Sequence, residues 1–249
     1  MRNPFFYIRK RRKYIKRLGK WILWRVDRFI ANQSTVPNDP VLDASHFPWS
    51  PSLEADWTLV RAELDELLKR REDIAPFQDI SRDQKYISTD DRWRTYILYG
   101  FGSGTEAAKQ NCPDTMRLLE QVPGLTTAFF SILAPHKDIP SHRGVSKAWV
   151  RCHLGLKIPR DAAKCTMQVG DDLVVWEEGK NVFFDDSYPH AVNNDTNEER
   201  VVLLFDFERP MKRGGRLVKA LLLAMLRSSD YVKDARRNQE AWERRWATD

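Results

Sequence analysis

The sequence predicts a mainly β core, a sandwich or barrel, flanked by helices at both ends. Three observations predict it. Residues 127–133, 148–157, 165–169, 173–176, 181–184 and 201–207 are short strand-like runs separated by Pro, Gly, Asp and Asn turns. Helical periodicity lies before and after these runs rather than among them. Hydrophobic residues make up 42% of 249, enough for one sizeable core with tails. A jelly roll is one architecture that short strands at this pitch build.

Taken in order, residues 4–30 read as a basic amphipathic helix. Ile15, Leu18, Ile22, Val26 and Phe29 recur at spacings of three and four and share one stripe. Phe5, Phe6, Tyr7, Tyr14, Trp21 and Trp24 lie among them. Residues 33–52, rich in Ser, Pro, Asn and Asp, read as a linker. Residues 54–71 form a helix whose apolar face is Trp57, Leu59, Val60, Leu64, Leu67 and Leu68. A shorter helix spans 113–122, with Pro113 and Asp114 at its start. After the strands, residues 217–226 are apolar nearly all round, with Lys219 the single charge. The expected organisation is an arm and linker at 1–40, a helical support region at 41–126, the β core at 127–210 and a helical tail at 211–249.

Charge is unevenly spread. Residues 1–28 hold eleven Lys and Arg against one acid, Asp27, leaving 30 basic and 34 acidic residues in the rest. The basic character belongs to the arm, which phosphates of lipid or nucleic acid attract. Basic residues beside Trp and Phe are the composition of a helix lying in a membrane interface, so lipid is expected and nucleic acid is not. A stripe docked on the body is the competing reading. No run approaches the 18 apolar residues of a membrane span. Residues 217–226 are either a docked helix or a second interfacial contact. Three irregularly spaced cysteines, Cys112, Cys152 and Cys165, point away from a disulfide framework and toward a reducing cytoplasm. The expected location is cytoplasmic, peripheral on the inner face of the membrane. The arm lacks the serines of a transit peptide and the apolar core of a secretory signal.

The chemistry-bearing residues lie in the strand region. Alternation along 149–155 puts Trp149, Arg151 and His153 on one face, and Val150, Cys152 and Leu154 on the other. An apolar face packs on the core, so the Arg/His face looks at solvent or, inside a barrel, at a polar pocket. Arg200 opens the last strand; turned inward it needs an anionic partner, and a carboxylate suits its paired donors. At a sheet edge it would instead pair with a surface acid. His142 and His190, 48 residues apart, are two of five histidines and by themselves a weak metal signal.

The whole string carries more. Phe130-Ser131, His142-Arg143-Gly144, Arg151-Cys152-His153-Leu154-Gly155-Leu156, Trp176-Glu177-Glu178-Gly179, Phe184-Asp185-Asp186-Ser187-Tyr188-Pro189-His190 and Arg200-Val201-Val202-Leu203 with Asp206 stand in matching order and spacing. They resemble the aspartyl/asparaginyl β-hydroxylase family of the Fe(II)/2-oxoglutarate-dependent dioxygenases, to which bacterial lipid A and ornithine-lipid hydroxylases are related. The resemblance implies a double-stranded β-helix, the cupin-like jelly roll, for the core. It implies Fe(II) and 2-oxoglutarate as cofactors and molecular oxygen as co-reactant. His142 and His190 would be the metal ligands and Arg200 the grip on the far carboxylate of 2-oxoglutarate. Ser131, Arg151 and His153 would make further cosubstrate contacts. Asp185 and Asp186 are candidates to orient the imidazoles.

One position departs from the wider superfamily, in which a carboxylate two residues after the first histidine completes a facial triad. Here that residue is Gly144. The aspartyl/asparaginyl β-hydroxylases share the glycine, and a water could take the position; halide at that place makes halogenation a distant alternative. The arm and the apolar tail favour hydroxylation of a membrane-lipid acyl chain, of lipid A or aminolipid type. A protein or peptide bearing Asp or Asn is the alternative substrate, and a non-catalytic binding module the remote one.

Overall fold

The computed structural model describes residues 25–81, 87–100, 102–144, 146–227 and, near the C-terminus, 237, 238, 240–242 and 244. Most of the basic arm, residues 1–24, lies outside that range; its described end, 25–33, is helical (α1). The chain continues through β1 (Val41–Leu42), α2 (Ser50–Ala55), α3 (Trp57–Leu68), β2 (Ala75–Pro76), α4 (Phe77–Ile80), β3 (Trp93–Gly100), β4 (Ser103–Gly104), α5 (Glu106–Asn111) and α6 (Pro113–Leu119). Eight further strands follow: β5 (Leu125–Leu133), β6 (Ile139–His142), β7 (Trp149–Lys157), β8 (Cys165–Val169), β9 (Asp172–Val175), β10 (Asn181–Phe184), β11 (His190–Asn194) and β12 (Arg200–Glu208). Helix α7 (Arg213–Arg227) follows β12.

Two antiparallel sheets form the expected jelly roll. The larger has the order β1-β10-β7-β12-β5-β3-β2, with β4 on β3; the smaller has the order β6-β11-β8-β9. Strand alternation sorts the side chains of the larger sheet between two cores. Trp93, Leu133, Phe184, Val202 and Leu204 face the smaller sheet, where they meet Ile139, Met167, Val169, Val174 and Val192. The alternate residues Phe130, Ile132, Val150, Cys152, Leu154, Leu203 and Phe205 turn to the other side and pack under Leu53, Val60, Leu64 and Met116 of the helices. The central strand β12 is therefore buried on both faces, which is why its sequence reads as a continuous apolar run rather than an alternating one.

The helices sit where expected, with sharper ends. The 54–71 segment splits at Asp56 into α2 and α3. The Thr105 hydroxyl accepts from Ala108 N at 3.0 Å and caps α5. The Glu63 carboxylate reaches from α3 to accept from Asp114 N at 2.7 Å and Thr115 N at 2.9 Å. It thereby occupies the positive end of α6 and ties two helices into one layer. Segment 41–126 is more than helical support, because it also supplies β1, β2, β3 and β4 to the larger sheet. Among the described residues no helix is long and apolar enough to cross a membrane.

Candidate metal and cosubstrate site

Strands β6 and β11 pair antiparallel with His142 and His190 as direct partners. Both imidazoles therefore leave the smaller sheet together, their ring centroids 4.1 Å apart. Each ring is oriented by the backbone two residues before it. His142 Nδ1 donates to Pro140 O at 2.9 Å, and His190 Nδ1 donates to Tyr188 O at 3.0 Å. A carbonyl only accepts, so the proton sits on Nδ1 and Nε2 keeps its lone pair. Burial lowers the His142 pKa below its usual value, with Arg151 adding to the effect. Burial, His142 and Arg151 push His190 down to about 3. Two neutral imidazoles with free Nε2 atoms side by side are a donor set for a divalent transition metal. Among the described residues no cluster of three His, Cys, Asp or Glu makes a fuller ligand set. The pair is oriented by main-chain carbonyls and not by Asp185 or Asp186, which corrects that expectation.

Asp186 has another place. Gly144 N donates to Asp186 O at 2.7 Å. A Cβ built on Gly144 would come closer than 3.0 Å to Cγ and both oxygens of the Asp186 side chain. A carboxylate from the His190 loop thus fills the space that a side chain at residue 144 would need. Burial raises the Asp186 pKa; Arg151, 3.3 Å away, opposes the rise, and Asp206 and Asp185 reinforce it. Asp185 is directed away from the imidazoles. Its Oδ2 accepts from Lys147 Nζ and from Arg209 Nη2, both at 2.7 Å. Arg209 also donates to Lys147 O and Pro37 O, so this fully buried guanidinium ties the His190 loop to the loop that follows His142.

Across the gap, the larger sheet presents Ser131 from β5, Arg151 and His153 from β7, and Arg200 from β12. Arg200 is 1% exposed. Its Nη1 donates to Ser131 Oγ at 3.4 Å, and its guanidinium carbon lies 4.6 Å from the centroid of the Trp176 ring. Among the described residues no carboxylate pairs with it and its Nε has no partner, which excludes the surface-acid reading of this arginine. Burial lowers the Arg200 pKa to about 10, leaving it a cation at neutral pH. His153 is buried with both ring nitrogens unpartnered, stacked 5.9 Å from Trp176 and edge-on to Phe184 at 5.0 Å. Burial first, then Arg200, Arg151 and His190, hold it neutral. Trp176 Nε1 and Thr95 Oγ1 are unpartnered as well. Buried polar atoms are normally satisfied, so a group of them around one unpaired guanidinium fits a small anion that accepts hydrogen bonds.

Arg151 borders the site but is already engaged: its Nε and Nη2 donate to the two oxygens of Asp206 at 2.7 and 2.9 Å. Residues that sequence reasoning did not single out are Trp176, Thr95 and Trp93, whose Nε1 donates to Ser131 Oγ at 3.1 Å. Trp176 stands in a quoted motif and was findable on that ground. Thr95 and Trp93 come from β3, a strand outside the anticipated core.

The model of the aspartyl/asparaginyl β-hydroxylase family matches residues 54–210. An ornithine lipid ester-linked acyl 2-hydroxylase of Rhizobium tropici is 41% identical over 209 residues, covering 84% of this chain and 74% of that protein. The human aspartyl/asparaginyl β-hydroxylase is 30% identical over 164 residues, covering 64% of this chain but 21% of that protein. A solved structure of a Pseudomonas putida prolyl-4-hydroxylase superposes with a TM-score of 0.40 at 20% identity, covering 63% of this chain and 88% of that one. With the family match running from the end of α2 to the end of the jelly roll and embracing both histidines and Arg200, this chain belongs to the aspartyl/asparaginyl β-hydroxylase family.

Proposed function

We propose that this protein is an Fe(II)- and 2-oxoglutarate-dependent dioxygenase that hydroxylates an unactivated C–H bond on the acyl chain of a membrane lipid, of the ornithine-lipid type. The observation that carries the catalytic reading is the pairing of His142 and His190 opposite a buried Arg200 without a carboxylate partner. His142 and His190 would hold the iron through Nε2. Arg200 and Ser131 would take the far carboxylate of 2-oxoglutarate, with His153, Trp176 and Thr95 as further polar neighbours. Arg151, held by Asp206, would supply positive charge beside the two histidines. Asp186, whose carboxylate lies in the space that a side chain at residue 144 would need, would be the group to accept a hydrogen bond from a water held there. When bound, iron and 2-oxoglutarate supply the oxidising chemistry: oxygen gives one atom to succinate, formed with carbon dioxide, and the other to the substrate as hydroxyl.

The lipid reading is supported by the 41% identity to a lipid acyl hydroxylase over most of both chains. The basic arm and the apolar outer side of α7 support a peripheral place at the membrane, on the cytoplasmic face. Protein Asp or Asn is the second reading, favoured by the human relative over a shorter match. Lipid mass spectrometry separates the two. A host making ornithine lipid should gain a one-oxygen species with the wild-type protein and none with His142→Ala. Turnover of 2-oxoglutarate driven by an Asp-containing peptide, with every lipid class unshifted, would replace the lipid reading by the protein one.

A further inference from the structure

We infer that the outer face of α7, together with Phe29 of α1, is a docking surface for an anionic lipid bilayer. The inference deepens the peripheral-membrane part of the proposed function by naming the surface that meets the bilayer, and it stands apart from the catalytic chemistry. Helix α7 is turned the wrong way for a water-facing helix. Leu217 is 76% exposed and Leu221 65%, whereas Lys219, between them in sequence, is buried and pairs inward with Glu208 at 2.5 Å. A solvated surface helix directs its charge outward and its leucines toward the core. This one keeps Leu222 against Ile30, Ala148 and Met211 but directs Leu217 and Leu221 outward and uses its interior charge as a tether to β12. Phe29 extends the apolar face, 40% exposed and with its ring edge 3.9 Å from where a Cβ on Gly214 would stand. Close passage of α1 over Gly214-Gly215 puts the two helices side by side: a Cβ on Gly215 would lie 2.7 Å from Gln33 Cβ.

Charge identifies the occupant. Residues 211–227 contain no acid, and Lys212, Arg213 and Arg216 are exposed around the first turn of α7. The one acid of 25–33, Asp27, points inward: it accepts from Ser146 Oγ at 2.6 Å and Lys147 N at 3.1 Å. The face is therefore leucine and phenylalanine rimmed by cations, the pattern of a helix lying among acidic headgroups. The Asp27 contacts also join α1 to the loop after His142, so the docking helices and the metal-side loop share one support.

The test is co-sedimentation of the full chain with vesicles of phosphatidylcholine plus phosphatidylglycerol, and of phosphatidylcholine alone. Wild-type protein should bind the anionic vesicles, more weakly as salt rises. The double variant Leu217→Asp/Leu221→Asp should partition roughly tenfold or more weakly. Leu173→Asp, at an exposed leucine on β9, should bind like wild type. Three results would overturn the inference: no binding by wild type, a double variant that binds equally well, or a wild-type dimer by light scattering that the double variant dissolves. Hydroxylation of substrate dispersed in detergent micelles, measured on the same proteins, reports the catalytic reading separately. It should survive the double substitution.

Discussion

Gly144→Ala tests whether Asp186 really fills the place of a side chain at residue 144. The added methyl would overlap Cγ and both oxygens of Asp186 at less than 3.0 Å. Neither partner retreats easily. Gly144 is tied through its own N–H to Asp186 O, and the carboxylate is buried against Arg151. Forcing one methyl into such a site costs about 1–3 kcal/mol. In a chain of this size that lowers the melting temperature by roughly 2–12 °C. Asp186→Ala removes all three overlapping atoms, so in that background the same methyl should cost less than about 0.5 kcal/mol. The coupling energy between the two positions is then about 0.5–3 kcal/mol. Urea unfolding of the four proteins, in chelator so that metal contributes nothing, measures it. Additive effects, with Gly144→Ala equally costly in both backgrounds, would refute the reasoning.

Arg200→Met should raise the 2-oxoglutarate dissociation constant by roughly 30- to 1,000-fold, the loss of about 2–4 kcal/mol of charge-assisted bonding. Without cosubstrate it should not destabilise the fold, since it removes a buried cation that lacks a carboxylate partner; calorimetry finding unaltered affinity would dismiss the assigned role. His142→Ala and His190→Ala should each abolish stoichiometric Mn(II) binding, read by electron paramagnetic resonance, and full binding by either variant would remove that histidine from the ligand set. Glu199 supplies a pH test. Burial alone would raise its pKa, but hydrogen bonds from Lys157 and Arg71 outweigh burial and hold it below its usual 4.5. A lowered folded pKa means stabilisation that is present above 4.5 and lost as pH falls through the folded value. Urea unfolding of Glu199→Gln should therefore show a shallower acid limb than wild type, and superimposable limbs would rule the linkage out.

The strands that alternate or run apolar, β5, β7, β8, β9, β10 and β12, were legible from those runs, and β7, β8 and β12 bury at least one whole face. The Arg151/His153 face followed from the same alternation, whereas the direction of Arg200 stayed open on alternation and composition and was expected inward only from the family resemblance. The missed strands have local reasons. In β3, Trp93 and Thr95 face one core while Tyr96 and Leu98 face the other, so no simple period marks it. Strand β6 is four residues long and contains Pro140, and β11 carries Asn193 and Asn194; neither composition advertises a strand. Asp186 was the least legible site residue. Its place against Gly144 depends on the meeting of two loops whose residues stand 42 positions apart in the chain. No local pattern encodes that meeting.

The direct pairing of His142 with His190 also bears on assembly of the sheet. Among the described residues, strand β6 is an edge, bonded to β11 alone, with its ladder interrupted between His190 and Val192. Such an edge is the place where register is least firmly set. A slip of one residue would send one imidazole to the opposite face, and the pair could no longer share an ion. An ion bridging the two rings would thus act as a fastener for the sheet margin and as a check on its alignment. Only a correctly zipped β6 can be clasped, and withdrawing the ion should loosen that margin before it disturbs the core.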